Sequence, residues 1–148
     1  RSMEGYSEGV RVLLTDKQRW GRIAADLFKV DPEYELALEI ALGEKLQSVP
    51  LTETGSLDAA LQLLRDNQQR ATLLLPAGQV SAVSFAAGTS LHSLVAVKGQ
   101  ERAQVDRLLA GVYLVDSVRD FVNVELPPGL LLVDRGGGSL SWRGELTG

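Results

Sequence analysis

The sequence predicts an α+β fold made of two pseudo-repeated lobes, each with helices packed on a small mixed β-sheet. Two observations support this prediction. Segments with helical spacing of apolar residues alternate with short apolar runs bounded by glycine or proline. In addition, one order of elements (glycine, strand, capped helix, strand) occurs in residues 43–75 and again in residues 111–133.

The length and composition are those of an ordinary globular domain. The 148 residues, 45% of them hydrophobic, suffice for one compact core or for two small lobes that share one. No window approaches the roughly 18 uninterrupted apolar residues of a membrane span, and no signal peptide opens the sequence. With no cysteine there is neither a disulfide framework nor a thiolate zinc site, which fits a cytoplasmic location.

The clearest element is a helix in the first half of the chain. Asp31 is placed to cap it, and Pro32 suits its first position. Apolar residues between Tyr34 and Leu42 extend so far around the helix that we expect it to be largely buried. Gly43 is placed to end it, and residues 46–51 are predicted to follow as a strand.

The other elements follow from the same signals of spacing, capping and termination. In chain order we predict a strand at 10–14, a short helix at 22–30, a helix from Ser56, a strand at 71–75 buried on both faces, a strand at 91–97, a helix at 101–110 ended by Gly111, a strand at 112–115, a short helix from Ser117, and strands at 130–133 and 140–142.

A stretch of small and polar residues at 77–89 is the predicted boundary between the lobes. Lobe one would then cover about residues 4–80, and lobe two about residues 89–148. Residues 1–3 have the character of a cloning remnant, so the predicted domain is 4–148.

The net charge of −4 is unevenly distributed. Residues 31–66 hold eight acidic and two basic residues, a net of −6, so the rest of the chain sums to +2. A domain that binds nucleic acid strongly carries a larger basic excess, so any DNA contact must come from a local patch. The candidates lie near Trp20 and beside the predicted helix 101–110: Lys17, Arg19, Arg22, Lys29, Lys98, Arg102 and Arg107. They could hold single strands by phosphate contact and stacking, or they could form a solvated face.

Catalytic chemistry finds little support. The single histidine, His92, opens an apolar strand and is typical of a strand-end or surface residue. No Gly-x-Ser-x-Gly elbow accompanies it, and nitrogen and sulfur ligands for a metal are lacking. We therefore predict no catalytic residue, no metal site and no cofactor.

Glycines cluster near the C-terminus. Gly136, Gly137 and Gly138 could cradle a phosphate, but their context fits neither a P-loop nor a dinucleotide fingerprint. Glycine also allows two backbones to approach closely, as an interface between strand edges requires, and Gly144 and Gly148 fit this use. The alternative is a flexible tail.

Several segments, read together, carry a family resemblance. They are EGYSEGVRVLL at 4–14, WGRIAADLFKV at 20–30, PEYELALEIALGEKLQSV at 32–49, RATLLLP at 70–76, LLAGVYLVDSV at 108–118 and SWRGELTG at 141–148. Together they resemble the hinge domain of the structural maintenance of chromosomes (SMC) proteins of bacteria.

The resemblance implies the SMC hinge fold and a place midway in a long chain. Two antiparallel coiled-coil arms would leave the hinge, with ATPase heads at their far ends that bind kleisin-type accessory subunits. Two hinges would join as a ring-like homodimer, so that a nucleoid-associated complex could enclose DNA for chromosome condensation and segregation.

The resemblance also implies interface residues. Hinge dimers of this family meet through glycine-lined sheet edges, with the second lobe of one copy opposite the first lobe of its partner. That role falls on Gly136, Gly137, Gly138, Gly144 and Gly148. A small nucleotide-binding or enzymatic α+β domain and a monomeric adaptor lobe remain the alternatives.

Overall fold

The computed structural model describes residues 5–16, 19–52, 56–76, 83–97 and 101–148. The helices are α1 (Glu8–Leu14), α2 (Glu35–Leu42), α3 (Ser56–Asp66) and α4 (Arg102–Leu108). The strands are β1 (Phe28–Val30), β2 (Val49–Pro50), β3 (Leu73–Leu74), β4 (Thr89–Ser90), β5 (Val95–Val97), β6 (Val112–Leu114), β7 (Leu131–Val133), β8 (Ser139–Ser141) and β9 (Leu146–Thr147). In the described ranges, five 3-10 helices join these elements, at Ala24–Leu27, Pro32–Tyr34, Gly43–Gln47, Leu91–Leu94 and Val118–Phe121.

The chain forms two compact units, each built from separate segments. Unit 1 contains the described residues within 1–28, 44–78 and 97–104, and unit 2 contains those within 29–43, 79–96 and 105–148. The boundaries expected at 4–80 and 89–148 therefore do not coincide with these units. Helix α2, expected in the first lobe, lies in unit 2.

Unit 1 packs α1 and α3 together beside a parallel pair of strands, β2 and β3. Its core includes Leu13, Trp20, Val49 and Leu64. The run at 10–14 is helical, not the strand expected from its apolar character. The Ser7 side chain accepts the Val10 N–H and so caps this helix.

Gly9 on α1 allows a close backbone approach within unit 1. A Cβ atom at this position would overlap the carbonyl oxygen of Arg70, just before β3. Because backbone atoms cannot move aside as a flexible side chain can, Gly9 is the residue that lets α1 lie against this segment.

Unit 2 contains a five-stranded sheet in the order β4-β6-β7-β8-β9. The β6–β7 pair is parallel, and the other pairs are antiparallel. One face carries a core cluster that includes Val118, Leu130, Leu132 and Leu140. Phe85 adds edge-to-face ring contacts to Tyr113 and Phe121, with centroids 6.0 and 5.5 Å apart. Separately, β1 and β5 form a two-stranded sheet.

The predicted α+β class and its repeated pattern are confirmed. In unit 1 a parallel pair, β2 and β3, is connected through helix α3. In unit 2 the parallel pair β6 and β7 is connected through the short helix Val118–Phe121. Each unit thus repeats strand, helix and strand around a small core.

Several predicted elements differ in detail. Helix α2 follows the 3-10 turn at Pro32–Tyr34 and ends at Gly43 with positive φ, but it buries one face only and leaves Leu36 exposed. The helix expected at 22–30 is a 3-10 turn followed by strand β1. The strands expected at 46–51, 71–75 and 91–97 are shorter, and β3 is half-buried instead of buried on both faces.

We expect Gly9→Ala to lower the free energy of unfolding by about 2 kcal/mol or more, because the added methyl group forces α1 away from the Arg70 carbonyl. Urea denaturation measures this loss. Glu8→Ala, an exposed position on the same helix, is the control and should change stability by about 1 kcal/mol or less, because it removes an exposed ion pair with Arg11 and an acidic residue from the first helical turn. Equal effects of the two substitutions would contradict the close-approach argument.

Candidate functional site

Strand β9 is an open edge of the sheet in unit 2. It pairs with β8 on one side, and among the described residues no strand pairs with its other side. The Ser141 N–H donates to the Glu145 carbonyl at 3.0 Å, and Ser139 lies opposite Thr147. Because hydrogen-bonded and non-hydrogen-bonded pairs alternate in an antiparallel ladder, the N–H and C=O of Leu146 point outward.

The side chain of Leu146 is on the core face of the sheet but lacks cover. Leu132, Leu140 and Leu146 are partners across three neighbouring strands, so their side chains share one face. Leu132 and Leu140 are buried, whereas Leu146 is 53% exposed. The core layer of unit 2 therefore ends before it covers the edge strand.

The turn between β8 and β9 presents an aromatic side chain and a cation. Trp142 is 39% exposed, and the Arg143 guanidinium lies 5.0 Å from the centre of its ring. The backbone N–H of Trp142 donates to the Leu130 carbonyl at 2.9 Å, and this hydrogen bond fixes the start of the turn. Gly144 has a φ of +83° and open space around it, so the turn requires glycine for its backbone conformation.

The glycine run at 136–138 forms the turn between β7 and β8 and encloses the Asp134 carboxylate. Asp134 Oδ1 accepts the N–H groups of Gly136 at 3.0 Å and Gly138 at 2.8 Å, and Oδ2 accepts the Val118 N–H at 3.0 Å. Backbone N–H groups that converge on one point bind anions. The anion held here is the chain's own carboxylate, which accounts for the glycines without a bound phosphate.

The five predicted interface glycines occupy two places. Gly144 and Gly148 flank the open edge and are exposed. Gly136 and Gly137 lie in the turn at the end of β7, and Gly138 is buried there. Sequence reasoning did not single out Asp134, Trp142 or the exposure of Leu146. The Asp-Arg-Gly-Gly-Gly run was the signal that could have pointed to the first of these.

The predicted DNA-contact residues are distributed over both units of the chain. Lys17 and Lys98 lie outside the described residues. Arg19, Arg22 and Arg102 belong to unit 1, and Lys29 and Arg107 belong to unit 2.

Two of these arginines lie close to carboxylates. Arg22 pairs with Glu101, which is buried, and Arg19 lies 3.7 Å from Asp16 and over the Trp20 ring at 5.8 Å. Trp20 is only 2% exposed, so the stacking role expected of it is wrong: its ring is part of the unit 1 core.

Two further polar features are an ion pair in unit 2 and a groove in unit 1. His92 pairs with Asp106 within unit 2 and is partly exposed. In unit 1 a polar groove of about 420 Å³ is lined by residues that include Ser7, Gln47 and Arg70. The described ranges contain no group of three or more His, Cys, Asp or Glu residues that could hold a metal ion. No helix in those ranges is long and apolar enough to cross a membrane.

The fold and the open edge define a two-unit α+β domain with a strand available for pairing. Residues 18–120 match the family model of the SMC proteins Flexible Hinge Domain. The chain belongs to the SMC hinge family, since this match covers well over half of its length. The resemblance inferred from the sequence is thus confirmed.

Curated relatives support the same assignment. The chromosome partition protein Smc of Desulfitobacterium hafniense is 40% identical over 81 residues, which are 49% of this chain and 7% of that protein. Smc of Bacillus subtilis is 38% identical over 74 residues, 47% of this chain and 6% of that protein. These relatives are bacterial, as predicted. The chain spans less than a tenth of their length.

Solved structures share the fold. A hinge domain of Geobacillus stearothermophilus SMC, crystallised as an asymmetric dimer, has a TM-score of 0.82 and 23% identity, covering 98% of this chain and 66% of that chain. The Pyrococcus furiosus SMC hinge has a TM-score of 0.80 and 20% identity, covering 98% and 80%. The SMC hinge fold expected from the sequence is therefore confirmed.

Proposed function

We propose that this domain is the homodimerisation hinge of a bacterial chromosome-partition SMC ATPase. The observation that carries the proposal is the open β9 edge, where Leu146 lies on the core face yet is 53% exposed. A second copy that added a strand here would satisfy the outward backbone groups and cover this side chain. Covering it contributes about 1 to 2 kcal/mol per copy.

Apart from the two-residue length of β9, the edge lacks the features that usually prevent pairing. Natural edge strands are protected by lysine, proline or bulges, whereas Leu146 and Thr147 are uncharged and accept a neighbouring strand. The flanking residues Gly144 and Gly148 have no Cβ atom to hold a second backbone away. These features favour association through main-chain hydrogen bonds.

We further propose that β9 pairs with β3 of the second copy. The N–H groups of Val49 and Leu51 donate to the Thr72 and Leu74 carbonyls, so the backbone groups of Leu73 point to the outer side of β3. The outer side of β2 holds Pro50, which has no N–H to donate. In unit 1, β3 is therefore the better acceptor of a strand.

Pairing β9 with β3 sets the second unit of one copy against the first unit of the other. A two-fold axis would repeat this contact, so the dimer would contain two equal interfaces. A permanent homodimer buries about 2,000 Å² or more in total, which two such interfaces could supply together.

The role in the whole protein rests on the relatives, which are chromosome partition proteins. We propose that the domain joins two coiled-coil arms whose far ends carry ATPase heads and kleisin-type subunits, so that a nucleoid-associated complex in the cytoplasm encloses DNA. In this proposal the hinge itself is not an enzyme and needs no cofactor. A small nucleotide-binding or enzymatic domain and a monomeric adaptor lobe are the alternatives.

We propose weak, sequence-independent DNA contact as a secondary role. The exposed Lys29 and Arg102 support it, whereas the pairing of Arg22 with buried Glu101 and the burial of Trp20 limit it. Contact of this kind would depend on phosphate charge, with little contribution from base stacking.

The first experiment measures mass in solution on dilution. We expect the unchanged domain to be a dimer, and Leu146→Pro to raise the dimer dissociation constant by about tenfold or more, because it removes the outward N–H as well as the apolar side chain. Leu146→Ala keeps the N–H and is the matched control, with a smaller effect. A monomeric unchanged domain would favour the adaptor alternative, and a Leu146→Pro variant that dimerises normally would exclude edge pairing.

A second experiment identifies the partner strand. The chain has no cysteine, so single cysteines report contacts cleanly. We expect a Leu146→Cys copy mixed with a Leu75→Cys copy to form a disulfide across the interface, since Leu75 is exposed just after β3. Cross-linking of Leu146→Cys to itself alone would show that two β9 strands meet instead.

A third experiment concerns DNA. Fluorescence anisotropy with two unrelated oligonucleotides should give equal affinities that fall steeply as salt is raised. Arg102→Ala should weaken binding to both oligonucleotides equally, whereas Arg119→Ala, which removes the same charge at an exposed position outside the predicted set, should not weaken it. Affinity that does not change with salt would exclude this role.

A further inference from the structure

We infer that Asp134 is the positioning residue of the dimerisation edge. It fixes the turn between β7 and β8. That turn sets the position of β8, and β8 in turn holds the edge strand β9. This inference rests on the proposed homodimer. Asp134 is 9% exposed, and its carboxylate accepts three backbone N–H groups from two different parts of unit 2. Hydrogen bonds to an ionised acceptor are stronger than neutral ones, so this contact is a strong local constraint.

The surroundings of the carboxylate are built for it. A Cβ atom at Gly138 would lie 2.8 Å from Asp134 Oδ2 and 2.8 Å from a methyl carbon of Val118, so only glycine fits there. The Asp134 N–H donates to the Gly138 carbonyl at 3.0 Å, and the Gly137 N–H donates to the Asp134 carbonyl at 3.2 Å. Main chain and side chain of one residue thus close the whole turn.

The turn sets the position of the edge strand. Ser139 follows Gly138 directly and opens β8, where it pairs with Val133 on one side and with Thr147 of β9 on the other. Among the described residues, β8 is the only strand to which β9 is joined. A shift of β8 relative to β7 therefore moves the open edge by the same amount.

The third hydrogen bond ties this turn to the core. Val118 begins the short helix Val118–Phe121 and belongs to the core cluster of unit 2. By accepting its N–H, Asp134 fixes the β7–β8 turn against a buried element and not only within its own hairpin. The predicted interface glycines 136–138 would accordingly act on dimerisation indirectly, as the binding site for this carboxylate.

The test compares Asp134→Asn and Asp134→Ala with the same two substitutions at Asp116. Asp116 is exposed, so the control variants lose the same charge without disturbing the turn. We expect both Asp134 variants to raise the dimer dissociation constant by about tenfold or more, because an amide or a methyl group cannot accept all three N–H groups. The Asp116 variants should dimerise as the unchanged domain does.

Chemical rescue distinguishes a positioning role from general destabilisation, because a merely destabilised variant would not regain dimer affinity when a small carboxylate is added. Formate should enter the space left in Asp134→Ala and restore part of the dimer affinity, while chloride at equal ionic strength should not. Failure of formate to act on a folded Asp134→Ala variant, or normal dimerisation of Asp134→Asn, would overturn the inference.

Amide hydrogen exchange separates this inference from the proposed dimer. If the unchanged domain proves monomeric, the homodimer fails, yet positioning by Asp134 still predicts faster exchange of the Thr147 N–H in Asp134→Asn than of the β6 amides. Equal acceleration in β6 and β9 would mean that Asp134 stabilises the whole unit and would overturn the positioning role.

Discussion

The sheet of unit 2 is incomplete at its β9 edge, and this is the constraint on which the proposed function depends. Five strands are joined by main-chain hydrogen bonds, but the core layer that covers Leu132 and Leu140 stops before Leu146. Backbone donors and acceptors at such an edge remain bound to water, and the adjacent leucine remains in contact with it. The proposed role in dimerisation follows from this one constraint, since a neighbouring strand would satisfy the polar and the apolar groups together.

Much of the fold could be predicted because its signals are local. The proline before α2, the glycines at 43 and 111 with positive φ, and the strand–helix–strand repeat are all visible within a few residues of sequence. The strand prediction for residues 10–14 is wrong because five mainly apolar residues fit a strand or a helix equally well. What decided between them was the Ser7 cap together with the approach of Gly9 to Arg70, a residue distant in sequence.

The candidate site could be predicted only in part. Glycines near the C-terminus indicated a backbone-to-backbone contact, and Gly144 and Gly148 do flank the open edge. The positioning role proposed for Asp134 requires Val118, sixteen residues earlier, to lie beside it, and no spacing rule supplies that contact. Trp20 was one candidate for stacking on single strands, but its large apolar surface places it in the core, and the Arg19 guanidinium lies over its ring.

Pro50 has a consequence for stoichiometry. A two-stranded ribbon with both sides free could add strands in both directions, and repeated addition leads to fibres. Because Pro50 lies on the outer side of β2, the β2–β3 pair of unit 1 can add a strand only beside β3. Association that uses this pair therefore adds one strand per copy, and in the proposed two-fold dimer each β9 strand occupies that one position on its partner, so no edge remains for a third subunit.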